Sequence, residues 1–460
     1  MSFTSSQYLI FFAIVFSAYW LFNGRRGQNL ILLTASYFFY GWHAPWHTLV
    51  LGTSTTIDHF LALAIEREPA RKKLYSGAAI FLNLGVLAFF KYFPVFKDQL
   101  ADVTGWSFLI RILLPIGLSF YTLKKIGYIL DVARNTLKPT HNFIDFALYV
   151  SFFPQVVSGP IDRPQKLLPQ IETPRTWKAD NLISAWPLLI MGLFKKIVVA
   201  DSIKVIVDQV FTLQEPTKFL LLAGGAAFTL QILADFSAYT DLSRGFSFLL
   251  GFNTTENFNR PYLALNPSDF WNRWHISLST WLRDYIFFPT RREMLKQRSP
   301  AWMTEMIPPI LTMLISGIWH GVGWVFIVWG LYHGVMTVLY QRFAPRLDLK
   351  TAGRFRIFLT WAVMFAVTII GWIIFRAPSL PWLWQAVLLE PIAGTREQVI
   401  FALMGLSMTL FYAAPLLIKL WLDVKADNAS WMNAFYYAAA SLSIIIYMNS
   451  ATPDFIYFLF

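Results

Sequence analysis

Long apolar runs separated by short polar segments recur along all 460 residues of the chain. A helix that crosses a bilayer needs roughly 17–25 mostly apolar residues. The pattern predicts an all-α, polytopic integral membrane protein with about eleven to thirteen spans and additional re-entrant or interfacial helices. No long polar stretch interrupts the pattern, so we expect a single membrane domain over residues 1–460. The clearest predicted spans are 8–22, 29–42, 48–65, 74–93, 181–210, 219–250, 302–319, 399–420 and 431–448.

One apolar stretch, residues 111–132, does not fit a simple span. Pro115 and Gly117 interrupt it, and two lysines and one aspartate make it too polar to face lipid. Irregular backbone survives at membrane depth only where protein buries it or where it lines a cavity. The stretch is therefore predicted to be a broken or re-entrant segment.

A second unusual stretch, residues 269–285, has two contrasting faces. One face is apolar and aromatic at helical spacing, and the other carries Arg273, His275 and Asp284. A tryptophan-rich helix with two such faces prefers the membrane interface. We predict one helix at the inner interface, with Asp269 as its N-cap and His275 directed toward the protein. The apolar face consists of Trp271, Trp274, Leu278, Trp281 and Tyr285.

The basic loops predict the topology. Segments rich in lysine and arginine at 25–26, 66–73, 291–298 and 342–356 are expected in the cytoplasm, which puts the N-terminus outside. The chain therefore leaves and returns between Arg298 and Arg342, with its turn at His320–Gly323. This topology predicts that His320 lies in the middle or outer part of the membrane and is approached from outside.

Composition supports the membrane assignment and excludes some chemistry. Hydrophobic residues make up 56% of the chain and charged residues 14%, with a mean hydropathy of +0.49, whereas a soluble domain has about 25% charged residues. The chain has no cysteine, so disulfides and cysteine nucleophiles are impossible. We attribute the net charge of +12 to cytoplasmic loops that meet anionic lipid, and expect no nucleic-acid partner.

Three of the seven histidines, His275, His320 and His333, lie in the region 269–334. A titratable side chain in a membrane segment is a functional candidate by default. The sequence has no HExxH motif and no carboxylate cluster at ligand spacing, so no metal site is predicted. A buried, neutral imidazole can take a proton from an attacking hydroxyl. The alternative for His320 and His333 is a hydrogen-bonded packing histidine.

Asp241 is the fourth candidate, because it lies in the apolar run 219–250. Arg244 follows at i+3, a spacing that lets the two side chains neutralise each other on one helical face. The residues alone leave three alternatives open: an internal ion pair, a residue that lines a polar cavity, or a direct catalytic role.

Eight segments of the chain carry motif-like patterns. They are PIGLSFY (115–121), FFPQVVSGPIDR (152–163), DFSAYTDLSRG (235–245), NFNRPY (257–262), DFWNRWHISLSTWLRDY (269–285), SGIWHG (316–321), WGLYHG (329–334) and GWIIFRA (371–377). Together, and in this order, they resemble the membrane-bound O-acyltransferase superfamily, and within it the bacterial branch that acetylates alginate or D-alanylates teichoic acid.

The resemblance implies a core over about 111–377 and assigns roles to single residues. His320 matches the catalytic histidine of the family's WHG motif, and His275 matches the second family histidine. Supporting or substrate-tunnel roles are expected for Trp319, Asp241, Arg273, Asp284 and His333.

The resemblance also implies an activity. An acyl group, most simply acetyl, would pass from a cytoplasmic thioester across the bacterial inner membrane to an extracytoplasmic hydroxyl. Acetyl-CoA or an acyl-carrier thioester would be the donor, as a substrate, with no bound cofactor. The acceptor would be a cell-surface polysaccharide or an extracytoplasmic partner acyltransferase. Ala238 replaces the family's usual glycine, and Thr290–Met294 replaces a Gly-Gly-Asn-Arg segment, so D-alanyl transfer stays an alternative.

A transporter or flippase for lipid-linked sugars is the rival class. Broken spans with buried lysine and aspartate also fit that function, although the sequence contains no inverted internal repeat to support it. A structural subunit of an envelope complex is a third possibility.

Overall fold

A computed structural model describes residues 1–104, 114–343, 353–424 and 430–448. Every regular element in these residues is a helix, and the protein is an all-α, polytopic membrane protein, as predicted. Seven helical stretches among the described residues are long and apolar enough to cross a membrane. They are Trp46–Arg67, Pro69–Pro94, Ala179–Phe211, Lys218–Leu249, Ala301–His320, Arg354–Arg376 and Arg396–Asp423.

The helices in the first part of the chain include several that fall short of that length. The predicted spans at 8–22 and 29–42 correspond to helices of 15 and 17 residues. The total of eleven to thirteen spans therefore stays a prediction. The helices are α1 (Ser6–Trp20), α2 (Arg25–Gly41), α3 (Trp46–Arg67), α4 (Lys72–Thr104), α5 (Leu118–Ala133), α6 (Phe143–Ser151), α7 (Pro164–Ile171), α8 (Ala179–Leu193), α9 (Asp201–Phe211) and α10 (Lys218–Leu249).

The remaining helices include the short, broken ones that carry the predicted site. They are α11 (Pro267–Arg273), α12 (Ile276–Leu282), α13 (Phe288–Lys296), α14 (Ala301–His320), α15 (Trp324–Phe343), α16 (Arg354–Arg376), α17 (Leu380–Trp384), α18 (Arg396–Val424) and α19 (Ser430–Tyr447). In the part of the chain that the structure describes, π-helical segments occur at Phe194–Ala200, Arg283–Phe287 and Gln385–Leu389. Such wide turns are rare and often occur near functional sites.

The described chain divides into two compact units, and the prediction of a single domain over 1–460 stays a prediction. The first unit comprises residues 1–189 and 240–256, and the second comprises residues 190–239 and 257–460. Helices α8 and α10 each contribute to both units.

The first unit buries charged residues and neutralises them. Lys125 Nζ lies 3.2 Å from Asp58 Oδ2, and Asn83 Nδ2 donates to both oxygens of that carboxylate, at 2.8 and 2.9 Å. A buried ion pair needs such additional hydrogen bonds to offset its desolvation. In the stretch 111–132, α5 begins only after Gly117, whose φ is 77°, and the broken or re-entrant segment stays a prediction. Residues 111–113 lie outside the described residues.

The second unit is organised around α14 and α15, which form an antiparallel hairpin with its turn after His320. A Cβ atom on Gly317 would lie 2.2 Å from the carbonyl oxygen of Phe326, and one on Gly330 would lie 2.5 Å from that of Met313. The two backbones therefore approach each other through small residues, as is common between membrane helices. This close approach fixes the register of the hairpin and the position of its turn.

A charged cluster in the second unit fixes the π-helical segment Phe194–Ala200. Lys196 Nζ lies 2.8 Å from Asp201 Oδ1 and 3.0 Å from Asp235 Oδ1, and its side chain is only 1% exposed. Lys195 donates to Ser237 Oγ at 2.9 Å. The two lysines thus connect the π-helical segment to α10 through Asp235 and Ser237.

Candidate active site

The amphipathic stretch 269–285 is not one helix, contrary to the prediction. It breaks between α11 and α12, where Trp274 is extended and His275 adopts left-handed backbone angles, φ 42° and ψ 55°. The predicted N-cap was also wrong, since Asn266 Oδ1 accepts the N–H of Asp269 at 2.8 Å. Apolar spacing could not reveal the break, because the stripe keeps its period within each short helix.

His320 and His275 line the same cavity, which has a volume of about 200 Å³. His320 is the last residue of α14, and residues at helical spacing before it form one wall. His275 is the residue at the break between α11 and α12. The wall formed by α14 consists of Pro309, Thr312, Met313, Ser316 and His320.

Aromatic rings surround the imidazole of His320, which is 6% exposed. Its ring centroid lies 4.9 Å from that of Trp319, 5.2 Å from that of Trp329 and 5.3 Å from that of Phe375. The interplanar angles of 74°, 86° and 81° make all three contacts edge-to-face. Aromatic rings favour this geometry, so the three contacts hold the imidazole in one orientation.

His275 is buried as predicted, with 1% of its surface exposed. Its ring packs edge-on against Phe236, with centroids 4.8 Å apart, and lies 6.4 Å from the ring of Trp319. Trp319 therefore contacts both histidines of the cavity.

His333 lies in α15 and is buried, but it is not among the residues that line the cavity. Its ring centroid is 4.9 Å from Trp329 and 5.1 Å from Trp271. Its Nε2 is so close to Gly371 that a Cβ atom there would lie only 2.5 Å away. The contacts of His333 thus agree with the packing alternative, and a direct role stays a prediction.

Arg273 and Asp284 are not among the residues that line the cavity. Arg273 Nε donates to Asp269 Oδ1 at 2.7 Å, and Arg283 Nε donates to Asp284 Oδ1 at 3.0 Å. Arg283 itself does line the cavity. Asp241 belongs to the first unit, and its pairing with Arg244 and its supporting role stay predictions.

The sequence-based reasoning missed the polar residues that share the cavity with the two histidines. Thr312, Ser316 and His320 lie at i, i+4 and i+8, so a search for polar residues on one face of an apolar span would have found the first two. Another group comes from α11, α12, α15 and the π-helical segment after α12. This group comprises Ser268, Asn272, Ser279, Thr280, Arg283, Thr337 and Gln341.

Together the site provides two imidazoles, several hydroxyl and amide groups, and apolar walls. Imidazole can accept or donate a proton near neutral pH, and hydroxyl or amide donors can orient a carbonyl group. Among the described residues there is no group of three or more metal-ligating side chains. Proton transfer at a carbonyl centre is the chemistry that the two imidazoles and the hydroxyl and amide groups support.

The fold and this cavity define a class: a multi-pass helical membrane protein with two buried histidines on one cavity. Comparison with known proteins identifies the family. The model of the membrane-bound O-acyltransferase family matches residues 34–377. The chain therefore belongs to that family and is an O-acyltransferase.

Individual relatives agree with the family match. The chain is 36% identical over 395 residues to a probable alginate O-acetylase of Pseudomonas aeruginosa, an alignment that covers 84% of this chain and 74% of the relative. It is 32% identical over 385 residues to a peptidoglycan O-acetyltransferase of Helicobacter pylori, with coverages of 76% and 71%. A teichoic acid D-alanyltransferase of Bacillus subtilis is 31% identical over 246 residues, with coverages of 50% and 59%.

Proposed function

We propose that this protein is an O-acetyltransferase that moves an acetyl group from a cytoplasmic thioester to a hydroxyl of an extracytoplasmic polysaccharide, with His320 and His275 as its catalytic residues. The observation that carries the proposal is the single cavity lined by both histidines. Trp319 has a supporting role in this scheme, because its ring contacts both imidazoles.

In the proposed reaction the imidazole of His320 accepts the proton of the attacking hydroxyl. The hydroxyl oxygen forms a bond to the acyl carbon of the thioester, and the resulting tetrahedral intermediate breaks its carbon–sulfur bond. The departing thiolate takes the proton from the imidazolium, so the products are an ester and a free thiol. A positioned base contributes on the order of 10²–10⁴ to such a rate. His275 contacts the thioester in the same cavity.

The extent of the cavity supports a donor that enters from the cytoplasm. Its lining begins at His320, beside the turn of the hairpin, and includes Gln341 near the far end of α15. At 1.5 Å per residue, the lining residues of α14 from Pro309 to His320 extend over roughly 16 Å. Gln341 precedes the basic segment 342–356, which is predicted to be cytoplasmic. An extended thioester chain that enters near Gln341 would bring its acyl group to His320.

The relatives support the proposal that the transferred group is acetyl and that the acceptor is a polysaccharide. The first relatives are alginate O-acetylases, and another is a peptidoglycan O-acetyltransferase. The D-alanyltransferases match only about half of the chain, so D-alanyl transfer is the second candidate. The proposal includes a bacterial inner-membrane location with the N-terminus outside. It also includes an acceptor that is either the polysaccharide itself or a partner acyltransferase that passes the acetyl group on.

The test is the acetyl content of surface polysaccharide in a deletion strain that expresses His320→Ala. We expect the acetyl content in this strain to be as low as in the deletion strain without any copy of the gene, although the variant is present in the membrane in normal amounts. His141→Ala is the matched control, because His141 is 70% exposed and pairs with Glu66. Acetylation at the wild-type level in the His320→Ala strain would refute the role of His320. Normal acetylation in the deletion strain, with D-alanyl ester lost, would favour the second candidate.

A further inference from the structure

The break that presents His275 to the cavity has an unusual backbone. His275 carries a side chain at left-handed angles, where residues other than glycine are strained, and it occupies the N-cap position of α12. An N-cap side chain usually accepts an N–H of the first turn. The side chain of His275 makes no such capping bond, and it lines the cavity instead.

The cap of α12 comes from another part of the chain. The backbone oxygen of Asn257 accepts the N–H of Ile276 at 3.0 Å, and Asn257 Oδ1 accepts the N–H of Ser277 at 3.1 Å. Asn257 is 1% exposed, so water does not compete for these bonds. Two N–H groups at the start of α12, which would otherwise lack helical partners, are thus satisfied by one residue.

The residues after Asn257 secure the other side of the break. The N–H of Asn259 donates to the carbonyl oxygen of Arg273, the last residue of α11, at 3.0 Å. Between them, the ring of Phe258 lies 4.9 Å from that of Trp274 and 5.0 Å from that of Phe236. Phe236 in turn contacts the ring of His275. We call residues 257–259 the strap.

We propose that Asn257 is a positioning residue that holds the imidazole of His275 in the cavity by capping α12 in its place. The proposal rests on the proposed function, because it requires His275 to take part in acyl transfer. Without the Asn257 amide, the first turn of α12 loses an acceptor, and the strained backbone of His275 is free to relax. The imidazole then leaves the position from which it acts on the substrate.

The chain offers a matched pair of variants. Asn257→Ala removes the capping oxygen, whereas Asn259→Ala changes the same residue type two positions later, where the side chain is exposed and the backbone N–H makes the bond. Asn257→Asp keeps an acceptor oxygen, and a negative charge is favourable at a helix N-terminus. Asn257→Gln keeps the amide but moves it by one methylene group, and it replaces the alanine variant if that variant does not fold.

The readout is thiol released from acetyl-CoA by the full-length protein in liposomes, with polysaccharide from the deletion strain as acceptor. Displacement of a reacting group by about 1 Å can cost roughly 10²-fold in rate. We therefore expect Asn257→Ala or Asn257→Gln to lower kcat by about 10–100-fold, with the KM for acetyl-CoA little changed. Asn257→Asp should recover most of kcat, and Asn259→Ala should equal the wild type.

A double-mutant cycle with His275→Ala separates positioning from general stability. If Asn257 acts through His275, Asn257→Ala causes no further loss of kcat in the His275→Ala background, although it still lowers the melting temperature. Two losses that multiply would overturn the proposal, as would a fully active His275→Ala protein or a fully active Asn257→Ala protein. Failure of the proposed function is distinct, because His320→Ala would then retain acetyl transfer.

Discussion

Gly317 sets the distance between α14 and α15, and we predict that Gly317→Ala slows acyl transfer more than it destabilises the protein. The new Cβ would lie 2.2 Å from the carbonyl oxygen of Phe326 and 3.1 Å from its carbon. Ordinary contact begins near 3.4 Å, so α14 must move away from α15 by about 1 Å. His320 follows Gly317 by three residues on the same helix and must move with it.

The two consequences of that shift differ in size. Overpacking of a close contact costs about 1–3 kcal/mol, and alanine in place of glycine within a helix regains up to about 1 kcal/mol. The net loss of stability is thus roughly 0–3 kcal/mol, which a folded protein tolerates. A displacement of about 1 Å at the reacting group costs on the order of 10²-fold in rate. We therefore expect a folded protein with about one hundredth of the activity.

The assay is thiol release from acetyl-CoA by the purified protein in liposomes, together with its melting temperature. The chain contains no cysteine, so a thiol reagent detects only the product. Gly323→Ala is the control, because a Cβ there meets only side-chain atoms, at 3.4 Å and beyond. The reasoning is wrong if Gly317→Ala retains more than about a third of the wild-type rate, or if Gly323→Ala is equally slow.

Three further substitutions test packing, buried charge and a partly exposed ion pair. The new Cβ of Gly371→Ala would press on the ring of His333. We expect the melting temperature to fall by a few degrees, consistent with a cost of about 1–3 kcal/mol, and the rate of acyl transfer to stay within about threefold of the wild type. A rate about a hundredfold slower would instead indicate that His333 takes part in the reaction. Lys196→Met removes the buried cation that lies within 3.0 Å of both Asp201 and Asp235. We expect a loss of about 3–5 kcal/mol and little folded protein on size-exclusion chromatography. Arg376→Met breaks a 3.0 Å ion pair with Asp208, in which the two side chains are 26% and 36% exposed. The loss of stability should be less than about 1 kcal/mol, because exposed ion pairs contribute little. Equal losses of stability for Lys196→Met and Arg376→Met would contradict the prediction that the buried charge matters more.

The sequence predicted the features that depend on local composition. The apolar runs identified the helices, and the basic segments on both sides of 299–341 predicted that the hairpin turns near His320, which the structure confirms. Burial of His275 followed from the two faces of its stretch. The spacing of Thr312, Ser316 and His320 would also have identified one wall of the cavity.

The features that the sequence could not provide depend on distant segments. The break at His275 is maintained by Asn257, twenty positions before Ser277, and no local pattern around His275 indicates it. Similarly, Gln341 joins the cavity only because α14 and α15 pack in one register. That register depends on glycines whose close contacts appear only when both helices are in place.

The surroundings of His320 show how a membrane protein can orient a polar side chain without adding charge. Each edge-to-face contact is worth about 0.5–1.5 kcal/mol beyond burial. Trp319, Trp329 and Phe375 together can therefore favour one orientation of the imidazole by a few kcal/mol. Orientation by packing transmits any displacement of the walls directly to the imidazole. For this reason the glycine contacts between α14 and α15 and the strap at residues 257–259 matter to the reaction although neither contributes a reacting group.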